Sequence, residues 1–327
     1  MFQFKRGRES YGLQVTDTQI RFVEVNHSSK SINLAYHFAF PLQNGAVRNG
    51  RIMNEEAVVK ALEAIAQESG AGGADIHLSV PSSSVVMRRA TYPAVNEREL
   101  RNMIDIDLNG SNSLPFKDPV FDFVRLETIE ASDTEKSKGV KKQVEVLIFA
   151  TPSEVISSYV EAMQKAGLEP ASVDIAPLAA YRLLVKYHKL TGIRLPERFM
   201  FVNMEADQVE FSMFENGLPV FLRSMPLMNS SYMLGSDQDR MTSYGRNLTT
   251  ELERMMQYFK NKASANQEDL QELFLMGEES FINGVPSMLA DVFQGPIQAI
   301  PLDELLQEGQ MNYQSFAVPI GLALKGA

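Results

Sequence analysis

The residues with chemistry to offer lie in two strand-turn-strand segments, YGLQVTDTQIRFVEV from Tyr11 and MFVNMEADQVEFSMF from Met200. At a constant offset of 189 residues Gln19 falls on Gln208, Ile20 on Val209 and Phe22 on Phe211, so apolar positions alternate in step around a polar turn. Paired turns of this kind can cradle phosphate with backbone N–H groups and hold a hydrated Mg²⁺ with carboxylates. The candidate groups are Gln14, Thr16 and Asp17 in the first copy and Asn203, Glu205 and Asp207 in the second. Gln14 and Asn203 can hydrogen-bond but carry no charge to attract a hard cation. A Glu205 carboxylate about 4 Å from a phosphate would cost roughly 4 kcal/mol at an effective dielectric near 20. Asp17 and Asp207 stand at the turn tips, where capping of backbone N–H groups is their expected role and cation binding the alternative. A third candidate is the strand-to-helix turn in LFLMGEESFINGV, with Gly277 followed by Glu278.

Other chemistries are excluded or unsupported by composition. The chain has no cysteine, so a thiol nucleophile is impossible, and it carries neither Gly-x-Ser-x-Gly nor a Walker sequence. Its four histidines, His27, His37, His77 and His188, are scattered and read as surface residues rather than a metal cluster. A net charge of −10 opposes nucleic-acid binding. Absence of cysteine and of any apolar run near 18 residues argues for a reducing compartment and no membrane span. MFQFKRGRES reads as a leader before the first strand, contact of Phe2 and Phe4 with a membrane surface being the alternative, and not as a signal peptide.

The elements that must position these groups can be traced along the chain. A length of 327 residues exceeds one compact core and implies two lobes. Strands are expected over 11–25 and 31–40, a helix over 55–69 with Val58, Val59, Leu62 and Ile65 on one face, and a strand over 75–80 that closes at Pro81. A strand over 83–90 follows, then a helix opening at Asn96 as N-cap with Glu99 at N3. Next come a strand PVFDFVRLETI, a charged loop near 132–142, the strand QVEVLIFAT and a helix from Thr151 with Pro152 at N1. The stretch 225–247 is polar, Met-rich and Gly-interrupted, and the helix NLTTELERMMQYFKNK is expected to begin after it, the methionines serving as core filler, with a Met-lined binding patch as the alternative.

In the order of these segments the chain resembles the PilM family of pilus-assembly proteins, the branch of the actin-like superfamily related to the cell-division protein FtsA. The likeness rests on the two hairpins, on Leu114-Pro115-Phe116 after the helix of the middle unit, on AGLEPASVDIAPLAAYRLL from Ala166, and on the closing FAVPIGLALKG. It implies an α/β, two-lobed actin-like (ribonuclease H-like) fold, with an FtsA/PilM-type inserted strand-helix-strand-strand subdomain and a truncated second lobe. The implied divisions are a lobe-one core over 11–81, the insert over 82–172, a return helix over 173–197, lobe two over 198–310 and a closing helix over 311–327. In such proteins the first hairpin reads Gly-Leu-Asp-Ile-Gly, the second carries Asp-x-Gly, and a Gly-Gly strand packs under the adenosine. Gln14, Thr16, Asn203, Glu205 and Glu278 depart from all three motifs, which makes this a degenerate nucleotide site.

The resemblance therefore implies a non-catalytic scaffold with no cofactor, ATP with Mg²⁺ as a nucleotide-gated ATPase switch being the alternative. PilM proteins bind the short cytoplasmic tail of a single-span inner-membrane protein, PilN, in a groove between lobe one and the insert, which would hold this chain at the inner face of the cytoplasmic membrane. Other platform subunits or the assembly motor ATPase are further partners the family brings into view. The implied groove walls are Val85, Met87 and Arg89 on the insert strand and Leu100, Met103, Ile104 and Leu108 on its helix, the other reading being that these residues form the insert's own core. Arg98 and Arg101 at one end of that helix, against Asp105 and Asp107 at the other, point to a charged partner or a solvated face. Type IV pilus, competence and type II secretion platforms all fit. The end at Ala327 without an apolar helix favours the pilus type.

Overall fold

Duplication of the two hairpins reappears as duplication of two whole sheets. The structure is a computed structural model and describes residues 8–28, 31–110, 114–130, 142–206, 208–226, 237–262, 269–306 and 313–325. The chain divides into two compact units, one of residues 1–83 with 161–327, the other of residues 84–160.

In the larger unit the first sheet begins with the antiparallel meander β1 (Arg8–Val15), β2 (Gln19–His27) and β3 (Ile32–Pro41). β1 starts three residues before the expected Tyr11, because Ser10 Oγ pairs with buried His27 Nε2 at 2.9 Å and ties the extension down. His27 is thus not a surface residue. A two-residue ribbon, β4 (Val47–Arg48) and β5 (Arg51–Ile52), turns on Asn49-Gly50, both at positive φ as a type I′ turn requires. Helix α1 (Glu55–Ser69) is N-capped by Asn54, whose side chain accepts from Ala57 N, and ends at Gly70 in the left-handed region. β6 (Asp75–Val80) runs parallel to β1.

The smaller unit contains β7 (Val86–Pro93), α2 (Glu97–Gly110), β8 (Pro119–Glu130) and β9 (Lys142–Pro152). Its antiparallel sheet has the order β7-β9-β8. α2 is capped as expected, Asn96 Oδ1 accepting from Glu99 N at 3.0 Å. The charged loop over 132–142 lies, up to residue 141, outside the described residues. Pro152 is the last residue of β9 rather than the first of a helix, since it pairs with Pro119 in the ladder, and α3 (Ser153–Lys165) starts one residue later.

The chain then returns to the larger unit. β10 (Glu169–Ile175) pairs in parallel with β6, so residues 169–172 belong to the first sheet and not to the insert that was expected to run through 172. Helix α4 (Ala176–Thr191) leads to the second sheet, β11 (Arg198–Met204), β12 (Gln208–Glu215) and β13 (Leu218–Pro226), with Asn216-Gly217 at positive φ between the last two. Helix α5 (Asp237–Lys262) is ten residues longer at its start than the expected one. Its apolar spacing, Tyr244, Leu248, Leu252 and Met255, begins before Asn247, and Gly245 does not interrupt it because Met288 packs there, 2.0 Å from where a Cβ would stand. β14 (Glu272–Gly277), α6 (Glu279–Gly284), α7 (Pro286–Leu289), β15 (Ile297–Ala299), α8 (Leu302–Leu306) and α9 (Ala317–Ala323) complete the unit.

The sheets are ordered β3-β2-β1-β6-β10 and β13-β12-β11-β14-β15, an antiparallel meander followed by two parallel additions in each. Between them lie α4 and α9 in one apolar core, with Val23 and Val25 from β2 and Phe199, Phe201 and Phe214 from the second sheet. α9 approaches β1 so closely that a Cβ on Gly12 would sit 1.9 Å from Pro319 O. The other face of the second sheet packs on α5, α6 and α7.

Candidate functional site

Alternation along the strands decides which side chains face across between the sheets. On β2, Val25 and Val23 belong to the shared core, so Arg21 and Gln19 continue that face toward the turn. On β12, Phe214 belongs to it, so Ser212, Glu210 and Gln208 continue in the same way. The face between the sheets thus changes from apolar to polar as it nears the hairpin tips. The turns are built alike, with Thr16 N donating to Gln19 O and Glu205 N donating to Gln208 O, both at 2.9 Å.

Glu205 is the centre of this cleft. Its carboxylate accepts from Arg21 Nη1 and Nη2, each at 2.7 Å, a bidentate fork between the two hairpins with side chains 4% and 1% exposed. Arg21 Nη1 also reaches Gln14 Oε1 at 3.5 Å. With the Gln19 carboxamide turned so that its oxygen meets these donors, it accepts from Arg21 Nη2 at 2.6 Å and Nε at 3.2 Å. Burial works against the guanidinium's charge, but Glu205 and, beyond it, Glu278 more than offset this and raise its pKa.

The remaining expected residues fall into place around that pair. Thr16 spends its hydroxyl inside its own turn, donating to Gln19 O at 2.9 Å and accepting from Gln19 N at 3.1 Å. Asp17 accepts from Asn49 N at 2.6 Å and Gly50 N at 2.9 Å, a backbone-capping role that locks the first hairpin to the β4–β5 turn. Asn203 is buried on β11 opposite Glu210. Gly277 has φ +109°, and a Cβ there would stand 2.1 Å from Met204 O, so this glycine serves strand packing. Glu278 accepts from Ala206 N at 3.2 Å; burial and then the Glu205 charge raise its pKa. Asp207 lies outside the described residues.

Two functional groups escape a reading of the hairpin motifs alone, Arg21 and Glu210. The 189-residue offset that aligns the hairpins also places one on the other, opposite charges at the same position of the two strands. Glu210 is 7% exposed, and burial, followed by the Glu205 charge, pushes its pKa up to about 7, with the Ser82 hydroxyl offsetting this only in part. Neither Glu210 Oε1 nor Ser82 Oγ has a partner within hydrogen-bond geometry among the described residues. Between the hairpins lies a cavity of about 40 Å³, lined by residues that include Gln14, Ser82, Asn203, Gln208, Glu210 and Ser224. That is room for a few waters, against several hundred Å³ for the usual small-molecule pocket. Among the described residues no group of three His, Cys, Asp or Glu side chains is placed to hold a metal ion.

The expected groove walls in the smaller unit divide in two. Leu100, Ile104 and Leu108 are buried against Val144, Val146, Ile148 and Ala150, so these three are the unit's own core and present no surface, a correction to their place as groove walls. Val85, Met87 and Met103 are half-buried and Arg89 is exposed. The polarity of α2 has partners within the unit. Arg101 bonds Asp122 at 2.7 Å and lies over Phe121 and Phe123, while Asp107 takes Arg88 at 3.3 Å and the Tyr92 hydroxyl at 2.9 Å. Elsewhere His77 is half-buried, pairing with Ser172 Oγ at 2.8 Å, and is likewise not a surface histidine. No described helix is long and apolar enough to cross a membrane.

Comparison with known proteins bears on what such a cleft belongs to. The family model of the type IV pilus assembly protein PilM matches residues 12–228. Among solved structures the chain is similar to one from a PilM–PilN type IV pilus biogenesis complex, with a TM-score of 0.74, 20% identity and 98% of each chain covered. It is also similar to the ethanolamine utilization protein EutJ from Carboxydothermus hydrogenoformans, with a TM-score of 0.52, 12% identity, and 97% of this chain and 89% of that one covered. No curated protein sequence matches the chain. With the duplicated sheets, these likenesses make the fold the two-lobed actin-like one.

Proposed function

The chain belongs to the PilM family of type IV pilus assembly proteins, and from that premise we propose that it is a non-catalytic scaffold of the pilus assembly platform. The observation that carries this reading is the Arg21–Glu205 fork, which fills with its own charges the place between the hairpins where phosphates and Mg²⁺ would have to enter. A nucleotide would have to separate a buried ion pair, leaving Glu205 against its phosphates. Gln14 and Asn203 offer the cation no charge in return.

The partner in this reading is a PilN-like single-span inner-membrane protein, as the similar solved complex contains PilN. Its cytoplasmic tail would hold the scaffold at the inner face of the membrane. The smaller unit is suited to such a tail. β7 has no ladder partner besides β9 among the described residues, so an extended peptide can add its main-chain hydrogen bonds there, beside Met87 and Arg89.

The test is calorimetric titration of the full chain with the N-terminal cytoplasmic peptide of the PilN-like protein from the same genome, with and without millimolar ATP·Mg²⁺. The expected result is binding that ATP·Mg²⁺ leaves unchanged, weakened about tenfold or more, roughly 1.4 kcal/mol, by Met87→Glu. Heat or hydrolysis from ATP·Mg²⁺ alone, or a nucleotide-dependent peptide affinity, would favour the gated switch instead.

A further inference from the structure

Of the carboxyl groups gathered at the cleft, Asp17, Glu205, Glu210 and Glu278, Glu210 is the one with a buried oxygen that no donor reaches among the described residues, Glu278 accepting from Ala206 N. Glu205 is met by Arg21, and Asp17 is met by the Asn49 and Gly50 N–H groups. Glu210 faces the same cleft, more than nine-tenths buried, and among the described residues no ion pair reaches it and no donor reaches its Oε1. Buried carboxylates are ordinarily paired or bound to a metal ion. Ser82, equally buried, stands close enough to oppose the rise in the Glu210 pKa, yet its Oγ has no partner in hydrogen-bond geometry.

The surroundings narrow what could satisfy both groups. Glu210 stands between Asn203 on β11 and Ser224 on β13 as their ladder partner, so amide, carboxylate and hydroxyl lie in a row across three strands. Gln208 and Ser224 line the same cavity and bond to each other at 3.2 Å. The lining side chains that carry heteroatoms offer oxygen and amide nitrogen only, with no thiol and no imidazole, which suits a hard cation. Charge then separates the candidates. Divalent ions are bound through several carboxylates or with phosphates, whereas among the lining carboxylates Asp17 is taken up by backbone N–H groups and Glu205 by Arg21, which leaves Glu210 as the one with a buried oxygen open to an ion. A monovalent ion matches the Glu210 carboxylate, and about 40 Å³ admits it together with a water or two.

We propose that this cavity is a binding site for a monovalent alkali cation, with the Glu210 carboxylate as its charged ligand and the Ser82 hydroxyl joining from the first lobe. The ion would fasten the two lobes at the hairpins, just before residue 84, where the chain passes into the smaller unit.

The experiment is thermal unfolding of the full chain at pH 8, in tetramethylammonium chloride replaced stepwise by NaCl or KCl at constant ionic strength. The expected result is a saturable rise of a few degrees in the midpoint with at least one alkali cation, absent in Glu210→Gln and right-shifted several-fold in concentration in Ser82→Ala. Crystals soaked in rubidium or thallium(I) should show anomalous density between Glu210 and Ser82. No rise with either alkali salt overturns the proposal, as does a rise that survives in both variants. A rise produced by MgCl₂ but not by NaCl or KCl would overturn the monovalent assignment. Should Glu210→Gln not fold, Ser82→Ala and the anomalous map decide.

Discussion

The hairpins of the two lobes share strand order, turn length and turn hydrogen bond, yet they carry opposite electrostatic loads. At equivalent positions the first has Thr16, Asp17 and Arg21, the second Glu205, Ala206 and Glu210. In the first, every group is matched: Thr16 within its turn, Asp17 on the β4–β5 turn, and Arg21 by Glu205, Gln14 and Gln19. In the second, Glu205 is matched only by reaching across to the first, and Glu210 is left over. A duplicated backbone therefore fixes where side chains point and leaves open what charge each site must handle. Here the two copies have diverged into complementary halves of one ion pair.

The largest expected effect comes from breaking that complementarity. Arg21→Met should lower unfolding stability in urea by about 3–5 kcal/mol, because it strands a buried carboxylate. Adding Glu205→Leu should recover most of that loss, since an apolar pair of similar volume is often neutral or better. A double variant as unstable as the single one would show that the pair does not hold the hairpins together.

The next effect concerns the unmatched half. The Glu210 pKa rises on folding from 4.5 to about 7. Folding therefore binds a proton in that window: the stability contribution is complete below pH 4.5 and is lost as pH rises through about 7. The fall should be about 3 kcal/mol by linkage, measured by urea unfolding in tetramethylammonium chloride, and Glu210→Gln should flatten it. A wild-type profile no steeper than that of the variant would mean that Glu210 does not titrate in the fold.

The smallest effect compares the two close backbone approaches. Gly12→Ala meets Pro319 O with φ in the ordinary range, while Gly277→Ala meets Met204 O and must also hold φ +109°. Overpacking alone costs roughly 1–3 kcal/mol, so Gly277→Ala should be the more damaging by chemical unfolding. Equal losses would place the whole cost in the contact and none in the backbone angle.

Much of this was legible before any coordinates. Asn96 marked the start of α2 by local hydrogen bonding, which neighbours cannot easily override, and the structure shows Asn54, Asn49-Gly50 and Asn216-Gly217 making a cap and turns by the same local means. The start of α5 was hidden because Gly245, a breaker by propensity, is required by Met288 on a distant helix. At the partner surface, Ile104 reads the same from sequence whether it lines a groove or a core, and only its packing on Val146 and Ile148 puts it in the core.

By itself the sequence determined the duplication, the presence of Gln14, Thr16, Asn203 and Glu205 at the hairpins, and the polar character of the cleft, because these depend on residue type and on a strand period of two. Tertiary structure alone decided that Glu205 meets Arg21, 184 residues away, while Glu210 meets no cation among the described residues. Alternation turned Arg21 and Glu210 toward the same cleft, and the turn after β11 put Glu205 there. Which carboxyl group came within 2.7 Å of the guanidinium depended on how the two sheets pack through α4 and α9, and no local pattern encodes that distance.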